Sequence, residues 1–156
     1  MRGVVSRRRG KRGRTAPYGD RTHVQQAVSP LHHPGLVRGD VDGRALRSLT
    51  LEHYPGMTEA ELARIESEAQ GRFELTGSLV VHRYGQLFPG DAIVLVVTLS
   101  RHRQSAFAAA EFLMDYLKSR APFWKKETFA DGAETWVDAR DTDATALARW
   151  EPAIKK

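Results

Sequence analysis

The side chains most able to do chemistry in this sequence are cations that gather around one helical stretch. His102 and Arg103 stand at its start, Lys118 and Arg120 at its end, and Lys125 and Lys126 follow just beyond Ala121-Pro122-Phe123-Trp124. Lys118 and Arg120 have a purely structural explanation, because cations near a helix C-terminus are favoured by the helix dipole and its free carbonyls. Arg103 does not. A cation at a helix N-terminus opposes the dipole and calls for an anion to offset it, so the pattern points to an anion site. Lysines beside the apolar rings of Phe123 and Trp124 are candidates for proton transfer, although aromatics in a hairpin strand are more often core than pocket.

Other chemistries lack their residues. The chain has no cysteine, which excludes a disulfide framework, a thiolate metal site and a cysteine nucleophile or persulfide carried by this chain. Sulfur chemistry would have to be brought by a partner. The six histidines, at 23, 32, 33, 53, 82 and 102, form no HxH or HxxxH pair, so no zinc site is expected; His53 and His82 lie in strand-like segments and read as structural. No GxSxG, P-loop or GxGxxG pattern occurs, and Gly85 and Gly90 read as turn residues.

These candidates must be positioned by a body that is distinct from a basic arm. Residues 1 to 25 carry eight arginines and lysines against Asp20, a net +7, which leaves −2 for the other 131 residues of the 156-residue chain. The pI of 9.8 therefore describes the arm, and a nucleic-acid surface on the body is not expected. Rich in Gly and Arg and without apolar periodicity, residues 1 to 23 are expected to be disordered, while Pro30 and Pro34 make 26 to 40 loop or sheet edge. No apolar run is long enough to span a membrane and none follows the arginines as an export signal would require, so a cytoplasmic protein is expected.

Within the body, Ala45 to Tyr54 alternates as a strand, with Leu49 and Leu51 on one face and Thr50 and Glu52 on the other. Thr58 and Glu61 have the spacing of a capping box for a helix from Glu59 to about Gln70, whose Glu59, Glu61, Glu66 and Glu68 would face water. Strands at Ser78–Tyr84 and Ala92–Leu99 flank Phe88-Pro89-Gly90-Asp91, a type II turn by its Pro-Gly pair. A second helix starts near His102 or Arg103, carries the stripe Phe107, Ala110, Met114 and Leu117, and stops at Pro122. Phe123–Phe129 and Glu134–Val137 form a hairpin across Asp131-Gly132, and Thr142–Trp150 closes the chain as a short helix. The order implies an α+β domain with mainly antiparallel pairing.

Four segments, TLEHYPGMTE (50–59), HRYGQLFPGD (82–91), SRHRQSAF (100–107) and FLMDYLKSRAPFWKKE (112–127), resemble the large, catalytic subunit of molybdopterin synthase, and the resemblance runs from about Gly35 to Trp150. It implies an α/β-hammerhead type of fold and a sulfurtransferase of molybdenum cofactor biosynthesis. Such an enzyme converts cyclic pyranopterin monophosphate to molybdopterin with sulfur from the thiocarboxylated C-terminus of a small ubiquitin-like carrier subunit. The implied assembly is a heterotetramer built on a dimer of large subunits, with no cofactor of its own. By position, the resemblance implies catalytic roles for Lys118 and Lys125. Substrate contacts fall on Leu36, Val37, Arg38, His102, Arg103, Lys126 and Glu127, and on Arg140, which in the family can reach the site across the dimer.

The departure lies at the front. The family leads into its Gly-x-Val-Arg segment, here Gly35-Leu36-Val37-Arg38, through a strand bearing an aromatic five residues before the arginine; this chain has His33 there, inside SPLHHPGLVR. Residues 1–34 are accordingly expected to be an extension or a replaced leader, for instance from a shifted reading frame, and 35–156 the synthase-like domain. Two further readings stand beside the enzyme: a non-catalytic binding protein whose basic arm engages nucleic acid, and a defective synthase subunit that binds the carrier without closing its active site.

Overall fold

Alternation in the segment around Leu49 and Leu51 produces the strand that anchors one half of the molecule. The computed structural model describes residues 3–9, 25–27, 35–137 and 148–150. In it β3 (Asp40–Val41) turns into β4 (Arg44–His53), which pairs antiparallel with β6 (Gly85–Leu87) and with β8 (Phe123–Phe129); β8 in turn pairs with β9 (Glu134–Val137). Leu49 and Leu51 are buried and Glu52 is exposed, as the period of two requires. With Val37, Leu46, Leu87 and Phe129 they form one apolar cluster.

A second sheet has the order β1 (Gly3–Arg9), β5 (Leu75–Arg83), β7 (Val94–Ser100), β2 (Gln25–Ala27), all neighbours antiparallel. Two helices, α1 (Met57–Phe73) and α2 (Arg103–Ser119), cover its inner face. Leu62, Ile65, Val80, Val96, Ala109, Phe112 and Leu113 make the main core there, each 1% exposed or less. On the outer face of β5 and β7, Leu79, Val81, Val97 and Leu99 are only partly buried and Leu95 is 43% exposed. β5 and β7 thus carry apolar side chains on both faces. Among the described residues no helix is long and apolar enough to cross a membrane.

Several expectations are met and others are corrected. Two helices on mainly antiparallel strands is the α+β arrangement expected, the Phe88–Asp91 turn closes through an Asp91 N–H to Phe88 O bond of 2.9 Å with Gly90 at φ +87°, and the hairpin turns at Gly132, also at φ +87°. The first helix, however, starts two residues early. Glu59 Oε2 accepts the Gly56 N–H at 2.6 Å, while Glu61 is drawn to Arg64 at 2.7 Å, and the helix runs on through Gly71 to Phe73. Thr58 is wholly buried and accepts the Tyr54 N–H at 3.2 Å. Glu66 does not face water: it is buried and accepts the Ser78 hydroxyl at 2.8 Å, a pairing across elements that helical periodicity alone could not reveal.

In α2 the apolar stripe is shifted. Ala106, Ala109, Ala110, Leu113, Met114 and Leu117 are buried, whereas Phe107 is 53% exposed. The expectation of disorder over residues 1–23 is corrected at Gly3–Arg9, which pairs over its whole length with β5, Gly3 opposite Arg83 and Arg9 opposite Gly77. An edge strand draws on backbone hydrogen bonds and needs no apolar periodicity. Gln25–Ala27 keeps to an edge, as the prolines that follow suggested. The short strand β6, between the two longer ones, had no sequence signal of its own. Most of the helix expected at Thr142–Trp150 lies outside the described residues; Arg149 and Trp150 are tied to Asp115 of α2, the indole N–H donating at 2.7 Å.

Candidate active site

The two apolar clusters meet along a seam that is not closed. A cavity of about 340 Å³ lies there, walled by Val94, Met114 and Leu117 from the main core and by Leu46, Leu49 and Leu51 from the second. Arg38, Lys118, Lys125 and Glu127 line the same pocket. A pocket of this kind, with apolar walls and several convergent charges, has the make-up of a small-molecule site.

Each charged group is held by a different local device. The Gly35-Leu36-Val37 segment before Arg38 is sewn onto the turn after Phe88: the Val37 N–H donates to Asp91 O at 2.9 Å, the Gly90 N–H to Val37 O at 2.9 Å and the Ile93 N–H to Gly35 O at 2.6 Å. Leu36 bridges to Ala92, and both Leu36 and Val37 line the cavity. Lys118 sits in the last turn of α2, one turn after Met114, so the same helix face supplies an apolar wall and an ammonium group. That helix ends as the N–H groups of Arg120 and Ala121 both donate to Tyr116 O, and Pro122 sends the chain back along β8. Alternation on β8 then aims Phe123, Lys125 and Glu127 at the cavity, opposite His53, Leu51 and Leu49 of β4.

Thr58 links the two turns behind this site. Its hydroxyl accepts from Tyr54 N–H and donates to Pro122 O at 3.4 Å, joining the β4–α1 turn to the α2–β8 turn between the two lysines.

Not all the expected residues arrive. Lys126 lies on the other face of β8, paired with Glu134 at 3.0 Å and 5.9 Å above the Trp136 ring. His102 and Arg103 cap the far end of α2, about 22 Å from Lys118 at 1.5 Å per residue, and do not line the cavity. There is no acid in the first turn of α2, and Arg103 is exposed with no ion pair among the described residues, so the anion demanded by the helix dipole is not supplied from within. Arg140 lies outside the described residues, as do His23, His32 and His33.

One wall residue was read in the sequence as structural only. His82 of β5 lines the cavity, 5% exposed, with its ring stacked on Phe123 at 3.7 Å and 18° between planes. Burial drives its pKa down to about 4, against a hydrogen bond to Arg83 O and with the positive charge of Lys125 adding to the fall. A period-two reading aligned on Val80 would have turned His82 inward, but nothing in the strand pattern shows that inward means a cavity.

The residues from 20 to 120 match the model of the family described as MoaE protein. A molybdopterin synthase catalytic subunit from Mesorhizobium japonicum is 61% identical over 118 residues, which is 75% of this chain and 73% of that protein. Among solved structures, the molybdopterin biosynthesis MoaE protein of Burkholderia ambifaria is 54% identical, with a TM-score of 0.61 over 74% of this chain and 75% of the other. Molybdopterin synthase from Staphylococcus aureus is 33% identical, with a TM-score of 0.63 over 67% and 75%.

Proposed function

The chain belongs to the MoaE family of molybdopterin synthase catalytic subunits, and from that premise we propose which of its residues act and how. It is a sulfurtransferase of molybdenum cofactor biosynthesis. Its substrate is cyclic pyranopterin monophosphate, and the sulfur comes from a small ubiquitin-like carrier subunit whose thiocarboxylated C-terminus enters the cavity. A chain without cysteine fits this division of labour. The reaction belongs in the cytoplasm.

The observation that carries the assignment of residues is the convergence of Arg38, Lys118, Lys125 and Glu127, from three separate segments, on one cavity. Arg38 binds an anionic oxygen of the substrate phosphate or of the carrier tail, for which a guanidinium offers paired donors. Lys118 approaches the thiocarboxylate and the reacting pterin carbons, where its ammonium stabilises the developing oxyanion or passes a proton. Lys125 is its electrostatic partner. Leu36 and Val37 shape the rim, Glu127 orients the lysine side, and Lys126 supports the strand from its outer face.

Three residues then remain to be placed. His102 and Arg103 are too far from Lys118 along α2 to meet the same substrate from the same chain, so they act, with Arg140, on the cavity of a second copy. The apolar outer face of β5 and β7 gives that copy a surface to bury. Residues 35–156 form the catalytic body, and 1–34 are an extension of it.

The test is reconstitution. The chain, mixed with thiocarboxylated carrier and substrate, is expected to yield dithiolene product, as is a version carrying a family-like leader. Product from the second version alone would mark the native front as defective, and none from either, with salt-sensitive nucleic-acid binding by residues 1–25, would replace the enzyme reading with a binding one.

A further inference from the structure

Asp115 stands three residues before Lys118 on α2, so the two side chains are neighbours on the helix surface, acid before base, the order that favours an ion pair. The Asp115 side chain is only 12% exposed, and a carboxylate with so little water needs donors around it. Lys118 could supply them. Yet its ammonium makes no ion pair or hydrogen bond among the described residues.

The carboxylate is taken up by the end of the described chain instead. Arg149 donates to Asp115 Oδ2 from Nε at 3.2 Å and from a terminal nitrogen at 2.5 Å, and the Trp150 indole N–H donates to the same oxygen at 2.7 Å. The same arginine reaches Glu111, one turn earlier on α2, at 2.9 Å. Trp150 is itself fixed. Its ring meets Phe73 of α1 and Phe112 of α2 edge-on, at 5.8 and 5.5 Å, and the Arg72 guanidinium lies 5.7 Å from its centre.

We propose that Arg149 and Trp150 are positioning residues for Lys118: by holding the Asp115 carboxylate they keep it from pairing with the ammonium group, which is left to meet an anion in the cavity. The inference rests on the reading of Lys118 as an active-site residue. An ammonium already matched by a neighbouring carboxylate would attract a substrate anion far less. The other charged or titratable groups that line the cavity with Lys118 are Arg38 from the segment before β3, His82 from β5, and Lys125 and Glu127 from β8. Glu127 forms no ion pair with Lys118, so Asp115 is the acid that the helix itself sets beside it.

The test compares Arg149→Met, Asp115→Asn and the double variant in the full chain, following the Lys118 ε-methylene signal by carbon-13 NMR as pH is raised. In Arg149→Met the carboxylate loses its cation and turns to Lys118, which should titrate about 0.5 to 1 pH unit higher than in the wild type, and kcat/KM should fall by the corresponding factor, about 3- to 10-fold. Adding Asp115→Asn should cancel both effects, and Asp115→Asn alone should not raise the titration. A clamp that served only to staple the chain end to α2 would give the opposite pattern, since Asp115→Asn breaks it as surely as Arg149→Met does. An unmoved Lys118 titration in folded Arg149→Met, as would follow if Arg72 took over the carboxylate, overturns the proposal, and so does a double variant that does not recover. Should Arg149→Met fail to fold, Trp150→Phe keeps the ring on Phe73 and Phe112 and removes only the indole N–H. The same upward shift, smaller in size, is expected there, and its absence overturns the proposal as well. The titrations need no turnover, so an inactive wild-type chain would sink the enzyme reading while leaving this one to be judged by NMR.

Discussion

Lys125 and Lys126 are neighbours in sequence and stand on opposite faces of β8, one lining the cavity and the other paired with Glu134 across the hairpin. A strand turns each successive side chain through half a revolution, so two adjacent lysines cannot both serve one pocket. Lys125→Ala should therefore cost turnover about 10²-fold or more, and Lys126→Ala much less, since an exposed ion pair contributes about 1 kcal/mol at most. Steady-state rates of dithiolene formation for the two variants check this; equal losses would contradict it.

Lys118→Ala should abolish turnover while leaving carrier affinity within a few fold, because the lysine is one group in a pocket whose walls Met114, Leu117 and Leu49 remain. Product assays alongside calorimetric titration with the carrier separate the two effects. Full activity in this variant would refute its role.

The buried His82 ring makes stability depend on pH. Its pKa falls from 6.5 to about 4 on folding, so between those values the unfolded chain binds a proton that the folded chain refuses. Stability is complete above about pH 6.5 and is lost as the pH falls toward 4, by about 3 kcal/mol from this group. Urea unfolding at a series of pH values should show the midpoint falling through that window, and His82→Phe should flatten this part of the curve.

Thr58 is buried and joins Tyr54 N–H to Pro122 O. Thr58→Val keeps its shape but strands the Tyr54 amide, and it should cost about 1–3 kcal/mol, seen as a lower denaturant midpoint with an unchanged slope. Since Pro122 lies between Lys118 and Lys125, turnover should fall as well, in a folded protein.

Much of this was legible from residue types. Period two placed Leu49 and Leu51 inward, Pro89-Gly90 and Asp131-Gly132 fixed two turns, and Pro122 ended α2. What escaped depended on contacts between distant elements. Glu66 was read as solvent-facing because its partner Ser78 is on another element, and Phe107 was read as core because the helix face that meets β7 is decided by the sheet. The cavity itself arises where two separate clusters fail to close on each other, a property of volumes and not of patterns. His102, Arg103, Lys118 and Lys125 were grouped in the sequence reading, yet a helix of 17 residues holds the first pair away from the second.

The strand Gly3–Arg9 occupies the open edge of β5, which would otherwise present a row of unpaired amides and carbonyls to other molecules. Whatever would add to β5 on that side must first displace a strand already paired with it along seven residues. Such a guard works by occupying the backbone donors and acceptors of β5. The front of the chain therefore shields β5 from strand addition, independently of whatever happens in the cavity.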